Sequence, residues 1–277
     1  TYTDYTGNNP AYGATVTFFQ PLPMKGAPEI QILDARMHAI RTVKGTHKVH
    51  GKAEPFISNK AGLNQFVWDF QIDGPVKWYG AAKPFFQGPD EGPGVPPGKY
   101  YVRMTLAGKT YTEPFSVKPD PRSILTQAEY EQSYTFAKKY LGEFSKVDTM
   151  LNELDKVKDA LNAAKTSAKL KGNTAALAQI DAAMAGHDRV FDMLTANFQN
   201  GEDSIQRPGA LREDMQGLGF FGSGVITPPT LDYAHSIDVS YAQAIAAYNA
   251  YAATLGSINT TLRSNGLKTA TIREIHP

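Results

Sequence analysis

The sequence predicts an α+β multidomain protein, with an antiparallel immunoglobulin-like β-sandwich over residues 1–120 and an antiparallel three-helix bundle over 121–277. Three observations predict it. Fourteen of the 18 prolines lie in residues 1–121, and none lies between Arg122 and Arg207. Alanine runs the other way, with 10 before residue 122 and 23 after it. Proline is barred from helix interiors and alanine is the best helix former, so the composition marks a change of fold. The apolar periodicity changes at the same place, from two to a 3,4 alternation. The joint is Lys118-Pro119-Asp120-Pro121-Arg122, where each residue before a proline is pushed towards extended geometry.

In the first half, Ala14–Phe19 sets Val16 and Phe18 on one strand face. Glu29–Leu33 and Ile40–Val43 flank a turn at Asp34–Ala39. In Asn64–Phe70, Phe66, Trp68 and Phe70 alternate with Gln65, Val67 and Asp69. Lys99–Leu106 sets Tyr100, Val102, Met104 and Leu106 on one face, and Ala107-Gly108-Lys109 turns the chain into Thr110–Lys118. That hairpin predicts Tyr111, Phe115 and Val117 as packing residues. Five or six such strands in about 120 residues fit an immunoglobulin-like sandwich.

The first helix is predicted from Tyr130 through Leu141, Phe144, Leu151, Leu154 and Leu161, opened by a capping box of Thr126 and Glu129. The second carries Leu177, Ile180, Met184, His187, Phe191, Leu194 and Phe198, with Thr174 as its cap. The third carries Ala234, Ile237, Tyr241, Ala244, Tyr248, Tyr251, Leu255, Ile258 and Leu262. Each set is an apolar seam along one side of a helix. The connection from Asn200 to Thr230 is long for a bundle. It holds a predicted short helix at Pro208–Met215 and a Gly-rich loop at 217–230.

The 28 basic and 27 acidic residues leave a formal charge of +1, which removes the electrostatic case for nucleic acid or an anionic membrane as partner. The absence of cysteine excludes disulfides, thiolate metal sites and cysteine nucleophiles. No apolar run reaches the roughly 20 residues of a membrane span, so no membrane insertion is expected. The chain opens at Thr1 with neither methionine nor a signal-peptide pattern, and is expected to be a mature or trimmed piece of something longer.

The glycines at 217, 219, 222 and 224 match no phosphate-loop fingerprint, having neither a preceding strand nor a following Gly-Lys-Ser/Thr. His187 on a helix seam reads as a core or edge histidine with satisfied nitrogens. His47 and His50 have no carboxylate at ligand spacing, so neither metal nor cofactor is expected. Asp69, Asp73, Asp90 and Glu91 flank the loop from Gln71 to Gly98 and offer the pair of carboxylates that glycoside hydrolysis requires, but at strand ends and beside Gly and Pro the stronger reading is ordinary turn residues. In the same loop Trp78, Tyr79, Phe85 and Phe86 are candidates for stacking on sugar rings or entering a partner surface, or else they cover the sheet. Phe220 and Phe221 either anchor a partner or lid the bundle.

A set of segments carries a resemblance. Asn9-Pro10-Ala11-Tyr12-Gly13-Ala14 is followed by Ala61-Gly62-Leu63-Asn64-Gln65-Phe66-Val67-Trp68-Asp69-Phe70 and Val95-Pro96-Pro97-Gly98-Lys99-Tyr100-Tyr101-Val102-Arg103-Met104. Then come Gly108-Lys109-Thr110-Tyr111, Pro114–Arg122 and Ile226-Thr227-Pro228-Pro229-Thr230. This order resembles the region after the β-propeller in secreted bacterial proteins with sortilin-like or neuraminidase-type repeats, often labelled glycosyl hydrolases. The resemblance implies an immunoglobulin-like domain, a helical C-terminal segment, and a secreted, periplasmic or cell-surface location. It places no catalytic residue on this chain, because the propeller that would hold a sugar-cleaving site is not in it. The expected function is a non-catalytic interaction or assembly module that docks on an upstream propeller or on another copy of itself. The alternative is a carbohydrate-binding or substrate-covering accessory domain of a secreted glycoside hydrolase. An autonomous hydrolase using the four carboxylates is the third reading.

Overall fold

The computed structural model describes residues 12–23, 28–49, 52–81, 87–196, 210–218 and 225–276. Antiparallel strands and long helices make a mixed α+β protein that divides into two compact units. One unit holds the described residues up to Asp73 together with Glu91–Tyr134. The other takes the described parts of Gly74–Asp90, a stretch the sequence reading placed in the sandwich, and of Thr135–Gly222 and Ile226–Pro277.

In the first unit, β1 (Ala14–Gln20) pairs with β6 (Gly62–Trp68). A four-stranded sheet has the order β10 (Lys109–Val117), β9 (Gly98–Leu106), β2 (Glu29–Leu33), β3 (Ala39–Val43). The period-two faces of both sheets supply Ile30, Ile32, Trp68, Tyr100 and Met104 to one core, which Ile57, outside the strands, joins. The Trp68 ring meets the Tyr100 and Phe115 rings at centroid distances of 6.0 and 5.8 Å. Tyr111 departs from its expected packing role, with 51% of its surface exposed. It lies on β10, an edge strand with one neighbour, towards the turn end of the hairpin. Two small pairs complete the strands: β4 (Thr46–Val49) with β5 (Lys52–Pro55), and β7 (Gln71–Asp73) with β8 (Glu91–Gly94).

Helix α1 spans Gln127–Leu170 and opens on the expected box: the Thr126 amide donates to the Glu129 carboxylate at 2.7 Å, and the Glu129 amide to the Thr126 hydroxyl at 3.3 Å. Helix α2 spans Thr174–Leu194, and its cap is Asn173 rather than Thr174. The Asn173 carboxamide oxygen accepts from the Ala176 amide at 3.0 Å, leaving Thr174 as the first helical residue. Helix α3 is short, Leu211–Gly217, and α4 runs Pro228–Ser264 from a Thr227 cap with proline in its first turn. The three long seams share one core, running from Phe144 and Leu154 on α1 through Ile180 and Phe191 on α2 to Ile237 and Tyr248 on α4. Lys165–Asp181 and Lys158–Asp188 contacts set α2 antiparallel to α1. Asn173–Asn265 and the close pass of Gly186 by Tyr251 set it antiparallel to α4. Among the described residues, no helix is long and apolar enough to cross a membrane.

Candidate functional site

The second unit's site begins as a stripe on α1 beside its apolar seam. Ser145, Asp148, Asn152 and Asp155 advance by three, four and three residues, which stacks them on one helix face. Non-helical segment 76–80 lies along that stripe. The Val76 amide donates to the Ser145 hydroxyl at 3.2 Å, and the Trp78 amide to Asp148 Oδ2 at 3.2 Å. The Asn152 carboxamide grips the segment in both directions, accepting from the Tyr79 amide at 3.0 Å and donating to the Lys77 carbonyl at 2.8 Å. The indole Nε1 of Trp78 donates to Asp155 Oδ2 at 2.7 Å. Backbone groups that a sheet would satisfy are satisfied here by helix side chains.

Trp78 is therefore a core residue. Offered by its sequence context for ligand contact or for covering the sheet, it is 5% exposed and meets the Phe191 ring of α2 edge-on at 5.7 Å. An indole carries large apolar area with one polar atom, so burial is favourable once that N–H has a carboxylate acceptor. Tyr79, next along, is 72% exposed. Gly80 follows at a point of close approach: a Cβ there would collide with the Asp155 carboxylate and come within 2.7 Å of the Trp78 Nε1, so a larger residue requires those side chains to shift.

Helix α3 closes the site. Arg212 is 2% exposed and donates through Nε to Asp148 Oδ1 at 2.5 Å and through Nη2 to Oδ2 at 3.2 Å. Its guanidinium lies 5.4 Å from the Trp78 ring centroid and 4.9 Å from that of Phe144. Glu213 holds the end of α2, accepting from the Thr195 hydroxyl at 2.8 Å and the Ala196 amide at 3.1 Å. Burial pushes the Asp148 carboxyl up to about 6, with the Arg212 guanidinium pulling the other way. Burial also raises Asp155, against the pull of the indole N–H, and raises Glu213, against that of the Thr195 hydroxyl.

Beside the strap lies a cleft of about 610 Å³ walled by Tyr79, Gly80, Asn152, Asp155, Lys156, Lys158 and Asp159. It offers a phenol face, two carboxylates and two ammonium groups, the equipment for gripping a polar ligand or a partner side chain. A second concavity, of about 700 Å³, runs between α2 and α4 past Ala183, Gly186, Val190, Ala247 and Ile258.

The structure brings Trp78 and Tyr79 together on the strap. Phe85, Phe86, Phe220 and Phe221 lie outside the described residues, as do His50 and the side chain of His47. His187 is buried, with Nε2–H donating to the Leu154 carbonyl at 3.1 Å and Nδ1 3.0 Å from the Asp188 carboxylate. The four carboxylates of the loop hold structure together. Asp69 accepts from the Gln71 amide, Asp73 accepts from the Thr42 amide, and Asp90 pairs with Lys77. Asp73 and Glu91 stand opposite each other in the β7–β8 pair, and Arg41 reaches both at 3.7 and 3.5 Å. Among the described residues, no group of three or more histidines, aspartates and glutamates is arranged to hold a metal ion. Sequence reasoning missed Ser145, Asp148, Asn152, Asp155, Arg212 and Glu213; the 3,4,3 spacing of the α1 stripe was the signal present. A scan against protein-family models and searches of curated proteins and solved structures return no match for this chain.

Proposed function

We propose that the chain is a non-catalytic interaction and assembly module, the C-terminal part of a larger secreted β-propeller protein. In this reading the first unit is an immunoglobulin-like sandwich, the second an antiparallel three-helix bundle, and any catalytic centre lies on the propeller. One observation carries the contact surface: the exposed Tyr79 ring sits on a strap whose backbone is held at Tyr79 and at the two residues before it, by Asn152 at the Tyr79 amide and the Lys77 carbonyl and by Asp148 at the Trp78 amide. An aromatic side chain on an immobilised backbone loses little freedom on binding, which is what an interface anchor requires. Sedimentation of the chain over a concentration series tests it. Tyr79→Ala should weaken self-association at least tenfold with an unchanged melting temperature, and unchanged association sinks the surface.

The Tyr79 cleft favours a second reading, carbohydrate binding, because a phenol face beside Asp155, Asp159 and Lys158 combines stacking with hydrogen-bonding groups. Trp78 borders that cleft through its bond to Asp155. Titration with a panel of oligosaccharides should then change tryptophan fluorescence saturably in a Trp68→Phe chain, whose remaining tryptophan is Trp78. A flat titration removes this reading.

A further inference from the structure

The second helical face that holds non-helical chain is on α4. Past Ser264 the chain turns at Asn265 and Gly266, and residues 267–276 run back along the helix. Asn259 of α4 grips Ala270 in both directions, Nδ2 donating to its carbonyl at 2.6 Å and Oδ1 accepting from its amide at 2.8 Å. Asn249 grips Ile275 in the same way, at 2.8 and 3.0 Å. Lys146 of α1 donates to the His276 carbonyl at 3.1 Å. The spacing is consistent: ten helical residues span about 15 Å and five extended residues about 16 Å. A helix has no free backbone edge, and a carboxamide presents the same donor and acceptor that a neighbouring strand would. Leu267 and Ala270 are buried, and Ile272 and Ile275 pack against the helical core. The clamps read backbone, and the four apolar positions read sequence.

We propose that this face of α1 and α4 is a receptor for an extended peptide segment, and that residues 267–276 of a second copy are its partner, exchanged for the chain's own. The proposal rests on the assembly-module reading and names that module's partner. The contacts that residues 267–276 make with α1 and α4 are the same in a second copy, so reciprocal exchange requires that the turn at Asn265–Gly266 open, with release of the bonds that Lys171 and Asn173 make to Asn265. The covalent link gives the resident segment an effective concentration near the millimolar range, so foreign segments enter only when it is released or the chain is concentrated.

The test uses the full chain. In Ile272→Asp/Ile275→Asp the resident segment loses its apolar anchors while Asn249 and Asn259 remain. A fluorescently labelled synthetic peptide of residues 267–277 should bind this variant at least tenfold more tightly than the native chain. Adding Asn249→Ala should remove most of that gain. Circular dichroism establishes that each variant is folded. Independently of the tail substitutions, Tyr79→Ala chain carrying an N-terminal mass tag is concentrated with untagged Tyr79→Ala chain, diluted and read by native mass spectrometry, where mixed dimers are expected because association through the Tyr79 surface is weakened and exchange is not. Peptide binding no tighter to the released chain than to the native one overturns the receptor, and peptide capture without mixed dimers overturns the choice of partner. Should the doubly substituted chain fail to fold, absence of mixed dimers by itself overturns the proposal. Tyr79→Ala should leave exchange untouched, so failure at the tail and failure at the Tyr79 surface are read separately.

Discussion

Replacing Arg212 by methionine should cost the helical unit stability in a way that depends on pH. Asp148 has no exposed surface and accepts three hydrogen bonds, two from Arg212 and one from the Trp78 amide. The Trp78 amide is itself shared with the Gln87 carbonyl at 3.0 Å. Without the guanidinium, a buried carboxylate keeps one divided donor, and breaking such a pair from one side costs about 3–5 kcal/mol. Methionine keeps much of the stem's packing against Trp78 and Phe144, so most of the loss is electrostatic. Asp148 can escape the penalty by binding a proton. Its carboxyl is already pushed up to about 6 by burial, above the ~3.9 of an unfolded aspartate. A folded-state value above the unfolded one means the folded chain holds the proton longer. The group's contribution is then fullest below about pH 4 and is lost as pH rises through the folded value. Removing Arg212 raises that value further. Urea unfolding followed by circular dichroism at 222 nm should therefore show the 3–5 kcal/mol loss at about pH 8 and a clearly smaller one at about pH 5. Asp148→Asn in the same chain should recover most of it at pH 8. An equal loss at both pH values, or one below about 1 kcal/mol, would show that the pair is not the buried charge lock described here.

Gly80→Ala should push the Asp155 carboxylate off the Trp78 indole, costing about 1–3 kcal/mol and changing Trp78 emission. An unchanged melting curve and spectrum would refute the close packing at Gly80. Alkaline pH should unfold the helical unit through α4: burial pushes Tyr241 up to about 12 and raises Tyr248 and Tyr251 as well, and none of the three hydroxyls has a hydrogen-bond partner among the described residues. The folded chain then keeps protons that the unfolded chain releases above pH ~10, so stability falls by about 4 kcal/mol per pH unit for three phenols. Phenolate absorbance at 295 nm should show these three ionising only as helical signal is lost, and ionisation in a still-helical chain would contradict their burial.

The helices were legible because their seams are regular. Every residue expected on the α4 seam is buried except Ile258, which is partly so. Strands β1, β2, β3, β6, β9 and β10 were legible from alternation. The small pairs were not: β8 is Glu-Gly-Pro-Gly and β7 is three residues long, so neither carries a period. The cap of α2 was displaced by one residue because Asn173 and Thr174 both have capping chemistry and sequence does not rank their backbone angles. The site was largely illegible. Asp148 and Asn152 stand beside the α1 seam, where polar residues read as a solvated face, and only the docking of segment 76–80 and α3 converts them into a buried stripe. Arg212 and Glu213 lie in a seven-residue helix with too few turns to show a face.

Three asparagines carry what the apolar seams do not explain. Asn152, Asn249 and Asn259 each bind one stretch of non-helical backbone through both carboxamide ends. Asparagine is a poor helix former, and at a buried position such as Asn259 its carboxamide costs free energy unless both ends are satisfied. A leucine at any of the three would suit the helix better in isolation and would take both partners from an amide and a carbonyl of the docked segment, which at Ala270 are buried. Their placement therefore follows from the docked segments and not from the helices, and it ties each helix to a particular register of chain. At Asn152 that register fixes where Tyr79 stands; at Asn249 and Asn259 it fixes which residues of 267–276 meet the helical core. The two surfaces proposed for interaction are thus positioned by the same device, a helix side chain standing in for the edge of a sheet.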